Sequence, residues 1–133
     1  MLFRSPEFAG GTAIGASRQI VVAETDAKAR AIAKPAAELH IRHLNWLRDH
    51  HASPEFANRL VVPVGGTFED NLREGTMIAG SPQTVVAELE KQIGELGINY
   101  LLSYLFFGNM AAGDAERSLQ LFASEVMPKL AHL

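Results

Sequence analysis

Apolar positions along the chain fall into two patterns. Short, dense runs stand at Gln19–Ala23, Thr76–Ala79 and Ile98–Phe106, and they read as strands. Longer stretches between and after them repeat apolar residues every three or four positions, the spacing of one helix face. Thr25 caps the first helix and Asp26 faces its positive end. That helix is expected from Asp26 to Leu47, with Ile32, Ala36, Leu39, His43 and Leu47 along one face and Pro35 kinking or splitting it near Ala31. Ser53-Pro54 opens a short helix ending near Leu60. Pro63 demotes Val61–Val64 to an edge strand or extended lining segment. Thr67 with Asp70 resembles a capping box for a helix from Phe68 to Glu74, stopped by Gly75. Ser81-Pro82 starts the next helix, with Val85, Leu89, Ile93 and Leu96 buried, Val86 alongside, and Gly97 as terminator. Ile98–Phe106 is apolar nearly throughout, as expected of a parallel strand covered on both faces. The last helix runs from Asp114 to Leu130, carries Ala115, Leu119, Phe122 and Val126 on one face, and is loosened at its end by Pro128. Residues 1–17 show neither period and read as irregular. The alternation of strand and helix predicts an α/β fold with parallel strands and right-handed crossovers.

Composition narrows the function classes. The chain has 133 residues, enough for one domain with a real core. It is 47% apolar and 20% charged, with a net charge of −3 and no basic stripe, so nucleic acid is not an expected partner. Without cysteine, disulfides, thiolate chemistry and sulfur-bound metals are excluded, and a cytoplasmic location is expected. No apolar run reaches the ~20 residues of a membrane span. Met1–Glu7 has no apolar core behind its positive charge, unlike a signal peptide.

Three places carry candidate chemistry. Gly80-Ser81 precedes a helix N-terminus, where backbone N–H groups attract anions, although plain capping by Ser81 explains the same residues. In Phe107-Gly108-Asn109-Met110, Gly108 permits a flat ligand close to the backbone and Asn109 both donates and accepts hydrogen bonds. A tight strand-to-helix connection is the alternative. Glu24 follows the first strand and can meet a substrate or partner group, or simply be solvated beside the Thr25 cap. His40 and His43 have a metal-ligand spacing, but no carboxylate is placed to complete a site, so no metal is expected. Trp46 near them is a pocket candidate or an interface aromatic. No serine-nucleophile frame, Walker motif or dinucleotide fingerprint is present.

Three segments in order resemble the C-terminal part of luciferase-like, flavin-dependent monooxygenases. They are Val22-Ala23-Glu24-Thr25-Asp26; Ile78-Ala79-Gly80-Ser81-Pro82 with its helix to Gly97; and Tyr100-Leu101-Leu102 through Phe107-Gly108-Asn109-Met110 to Phe122-Ala123-Ser124-Glu125-Val126-Met127-Pro128. The resemblance covers about residues 18–131 and implies an incomplete (β/α)8 TIM-type barrel over 18–133. About three parallel strands with covering helices would be its sixth, seventh and eighth, with 53–75 as an insertion. A complete barrel takes about 250 residues. Three strands alone leave two open edges and one poorly covered face. The resemblance implies reduced FMN, or a deazaflavin in some relatives, as cofactor, and oxidation of a small organic substrate with O2. Gly80, Ser81, Gly108 and Asn109 would touch the cofactor, and Glu24, Trp46, Phe107 and Met110 the substrate. No catalytic acid or base is nominated. The parts that hold the flavin phosphate lie upstream in the family, so the chain alone is not expected to be competent. The alternative is a non-catalytic barrel remnant that binds or assembles, as a homo-oligomer or with another barrel chain.

Overall fold

A computed structural model describes residues 13–53, 55 and 66–131. Three parallel strands form an open sheet: β1 (Gly15–Val22), β2 (Met77–Gly80) and β3 (Tyr100–Tyr104). The helices are α1 (Asp26–His51), α2 (Phe68–Glu74), α3 (Pro82–Leu96), α4 (Ala112–Leu121) and α5 (Met127–Leu130), the last two joined by a π turn at Phe122–Val126. The expected α/β class with parallel strands and covering helices is present. The helix expected after Ser53 and the segment Val61–Val64 lie outside the described residues.

The strand order is β2-β1-β3. Consecutive sixth, seventh and eighth strands would have set β2 in the middle; β1 is there instead. β2 pairs with its C-terminal half, Gln19↔Met77 to Val22↔Gly80. β3 pairs with its N-terminal half, Gly15↔Tyr100 to Gln19↔Tyr104. This second pairing draws residues 15–17, expected to be irregular, into the strand.

Strand side chains alternate between faces, and the core divides accordingly. On one face Val21, Met77 and Ala79 pack with Ala29, Ala33, Ala36 and Ala37 of α1 and Phe68 of α2. On the other, Ile20, Val22 and Ile78 pack with Val85, Val86 and Leu89 of α3 and with Leu121, Phe122 and Val126. Both faces are therefore covered over β1 and β2. The expected bare face is confined to β3, whose residues alternate exposed and half-buried. An apolar run had suggested burial on both sides; edge position explains the difference, and α1 reaches this strand at Tyr104, where His40 meets its ring.

α1 passes through Pro35 without a break. Ala31 and Pro35 are both exposed, so the carbonyl that loses its donor faces water. The buried face is a strip of alanines, which lets the helix lie close to the sheet. His43 is exposed, and Ile32 and Leu39 are only half-buried. In α3 the stripe is Val85, Val86, Leu89 and Gln92, while Leu96 is exposed. Gln92 tolerates burial because its Nε2 donates to the Gly75 carbonyl at 2.9 Å and its Oε1 accepts from Arg18 Nε at 2.6 Å. The Thr67–Asp70 capping box forms, and Gly75 and Gly97 end their helices in the left-handed conformation. Pro128 has no N–H to donate four residues back to Ser124. Just before it the chain slips one register, and the Met127 N–H donates to the Phe122 carbonyl.

Candidate functional site

The segments after β1, β2 and β3 converge at the C-terminal end of the sheet, where open α/β sheets place ligands. β1 leads into Glu24-Thr25-Asp26. The Thr25 hydroxyl accepts from the Lys28 N–H at 3.2 Å, capping α1 as expected. Glu24 is held by Lys28 Nζ at 2.9 Å and Arg117 Nε at 3.0 Å. The Lys28 bond is the largest of the causes that pull its carboxyl down to about 2, ahead of its own backbone N–H and Arg117. Glu24 is thus an ionised acceptor with its partners within the chain, and it is no general acid or base at neutral pH.

β2 ends at Gly80, and Ser81 caps α3 by accepting from the Thr84 N–H at 3.4 Å. The Ser81 N–H is not open to an external anion: it donates to Asp26 Oδ1 at 2.7 Å. This bond, followed by one from Thr84, lowers the Asp26 carboxyl below its ordinary value. Asp26 therefore sits at the positive end of α3 where a phosphate would sit. A Cβ on Gly80 would come 2.7 Å from Thr84 Cγ2, so glycine here serves strand-to-helix packing.

After β3 the chain crosses the top of the sheet before entering α4. Phe107 and Met110 are buried against the alanines of α1. Gly108 has φ +57°, and a Cβ there would overlap the Ala36 carbonyl, 2.7 Å from its carbon atom. Asn109 is exposed. α4 then closes the top of β1: the fully buried Ser118 Oγ accepts the Val22 N–H at 2.8 Å, which β3 is too short to reach.

Gly80, Ser81, Glu24 and Gly108–Met110 are thus brought to one end of the sheet, while Trp46 is not. It lies twenty residues along α1 from Asp26, roughly 30 Å at a helical rise of 1.5 Å, and stacks on His50 at 4.8 Å. His40 meets Tyr104 edge-on at 5.8 Å and Phe107 at 6.3 Å. Among the described residues no three His, Asp or Glu side chains gather as metal ligands. Sequence reasoning missed Asp26 as the partner of Ser81, and Ser118. The second was legible as a serine four residues before Phe122, on the inward stripe of a helix.

Ser81, Glu24 and the space beside Gly108 are already engaged from within the chain, and no buried side-chain nitrogen or oxygen lacks a partner among the described residues.

No protein-family profile matches the chain. It is 28% identical over 117 residues to the uncharacterized protein y4wF of Sinorhizobium fredii (strain NBRC 101917 / NGR234), covering 88% of this chain and 33% of that one. In structure it is similar to the monooxygenase RslO1 from Streptomyces bottropensis, with a TM-score of 0.62 and 24% identity over 88% of this chain and 31% of that one. A type II Baeyer-Villiger monooxygenase, the oxygenating constituent of 3,6-diketocamphane monooxygenase from Pseudomonas putida in complex with FMN, gives 0.61 and 23%, covering 86% and 33%. The chain shares an α/β fold with part of these two solved structures, and it spans about a third of the length of the proteins it matches. Among the described residues, no helix is long and apolar enough to cross a membrane.

Proposed function

We propose that this chain is the C-terminal portion of a cytoplasmic, luciferase-like monooxygenase that uses reduced flavin and O2 to oxidise a small organic substrate, and that it does not catalyse alone. The observation that supports this reading most is the fold likeness to two monooxygenases over nearly all of the chain, one of them bound to FMN. The motif order at Val22–Asp26, Ile78–Pro82 and Phe107–Pro128 points the same way. A deazaflavin satisfies the same reasoning.

The internal engagement of Ser81 by Asp26 and of Gly108 by Ala36 supports the need for more barrel before a cofactor is gripped. It also favours a second reading, a barrel remnant that binds or assembles without catalysis. Titration of the purified chain with FMN, followed by flavin fluorescence, tests the first reading. No saturable quenching is expected up to about 100 µM. Grafting the chain in place of the last third of the FMN-bound camphane enzyme should give a folded protein that takes up FMN. A folded graft that rejects FMN would refute the flavin reading, and tight binding by the chain alone would refute its incompetence.

A further inference from the structure

Helices α1, α3 and α4 all begin at the C-terminal end of the sheet, and each turns a positive N-terminus to it. α1 and α4 carry their own acids in the first turn, Asp26 and Asp114. α3 carries none, and Asp26 of α1 serves it as well. Its Oδ1 accepts the Ser81 N–H at 2.7 Å, and Thr84 also hydrogen-bonds the carboxyl. Pro82 has no N–H to offer, and the Thr84 N–H is taken by Ser81 Oγ at 3.4 Å. The groups with which a helix start would hold an anion are therefore spent or missing.

Two cations stand at the same end, Lys28 of α1 and Arg117 of α4. Glu24 meets both with separate oxygens: Oε2 lies 2.9 Å from Lys28 Nζ and Oε1 lies 3.0 Å from Arg117 Nε. Arg30 lines a different place, the groove between α1 and α2, beside Lys34, Glu38 and Glu69. The pairs made by Glu24 are about half exposed, and pairs of that kind add little to stability. What they set is the charge that an approaching group meets. Beside them, the exposed residues Gly108 and Asn109 are uncharged.

We propose that Glu24 and Asp26 are specificity-determining residues: internal counter-ions that keep anionic groups from the C-terminal end of the sheet, so that the part of a ligand meeting this chain is uncharged. The inference rests on the reading that ligands meet this end, and it names their chemistry there. A neutral ring or aliphatic body faces this chain, and any phosphate or carboxylate of the same ligand is held elsewhere.

Inorganic phosphate is the probe, which separates this test from the flavin reading; FMN uptake by the graft decides that one. The 15N-labelled full chain is titrated with phosphate at constant ionic strength, and amide shifts are followed. The unaltered chain should show no saturable shift at Gly80–Thr84 or Glu116–Ser118 up to about 50 mM. Asp26→Ala releases the Ser81 N–H and should bring saturable shifts at Ser81–Thr84. Glu24→Ala leaves Lys28 and Arg117 unpaired and should bring them at those two residues. Each gain should be at least about tenfold in phosphate affinity. Glu95→Ala removes an equal charge at the far end of α3 and should gain nothing at either place. Saturation of the unaltered chain in that range, a folded Asp26 or Glu24 variant that gains nothing, or an equal gain from Glu95→Ala would overturn the proposal. If Asp26→Ala loses its circular dichroism signal, Glu24→Ala decides.

Discussion

Gly108 and Gly97 share a left-handed backbone, with φ of +57° and +63°, but differ in what surrounds them. A Cβ at Gly97 meets nothing within 4 Å, whereas one at Gly108 overlaps the Ala36 carbonyl. Alanine at either site incurs the left-handed penalty of about 1–2 kcal/mol. At Gly108 it adds an overlap with backbone, which no side-chain rotation relieves, so the loop must lift from α1 at a further cost of about 1–3 kcal/mol. Gly97→Ala should therefore cost about 1–2 kcal/mol and Gly108→Ala about 2–5 kcal/mol. At roughly 3–5 °C per kcal/mol for a domain of this size, the expected drops in Tm are about 5 °C and about 10–20 °C. Thermal and urea unfolding followed by circular dichroism measure both. The comparison bears directly on function, because it asks whether Gly108 is glycine to seat the loop on α1 or to admit a ligand. If the two variants lose equal stability, the loop is not seated on Ala36, and the space beside Gly108 is open to a ligand after all.

Ser118→Ala leaves the buried Val22 N–H without its acceptor. It should destabilise by about 1–3 kcal/mol in urea unfolding, and an effect under about 0.5 kcal/mol would place Ser118 elsewhere. Gly94→Ala fills open space on α3, and should stabilise by roughly 0.8–1 kcal/mol from helix propensity alone. Glu24 is held near 2 against an ordinary value of 4.5, and Asp26, Glu69 and Asp70 are also lowered. In that acid window the unfolded chain binds more protons, so stability is full above the ordinary carboxylate range and falls as pH drops toward 2. Urea midpoints measured across that window should show the decline, and Glu24→Gln should flatten it; an unchanged slope would mean that the Lys28 and Arg117 contacts do not persist in solution.

Local chemistry was the most legible part of the sequence. The Thr67–Asp70 box, the Ser81-Pro82 start and the stops at Gly75 and Gly97 follow from capping rules that need only neighbouring residues. The parallel α/β class followed from the alternation of elements. What could not be read was which partner each surface meets. Ile98–Phe106 looked doubly buried because apolar content records what a strand could bury, not whether anything covers it. The helix face was misplaced in α1 because Ala29, Ala33 and Ala37 carry a weak hydrophobic signal, yet they are the residues that fit against a sheet at close range. At the site, Gly80, Ser81, Gly108 and Met110 were found together, but their roles turned on contacts distant in sequence. The Ser81 N–H meets a carboxylate 55 positions away, which no local pattern reveals.

The strand order links fold to function. Three strands cannot close into a barrel, so both faces of the sheet need other cover. The connection from β1 to β2 runs over one face through α1, and that from β2 to β3 returns over the other through α3. The two crossovers move in opposite directions on opposite faces and so share one hand, as parallel connections must. A consequence is that β1 and β3 are neighbours whose exits diverge, β1 toward α1 and β3 toward α4. In an open sheet such a divergence makes the crevice where ligands bind. Here the crevice is filled by the chain itself. Phe107 and Met110 drop into the α1 face, Gly108 rests on Ala36, and Ser118 takes the last free donor of β1. Exposed apolar side chains among the described residues include Tyr100, Leu102 and Tyr104 of β3 and Phe106 after it. With the crevice filled from within, the flavin reading proposed above needs contacts from more of a barrel than these three strands.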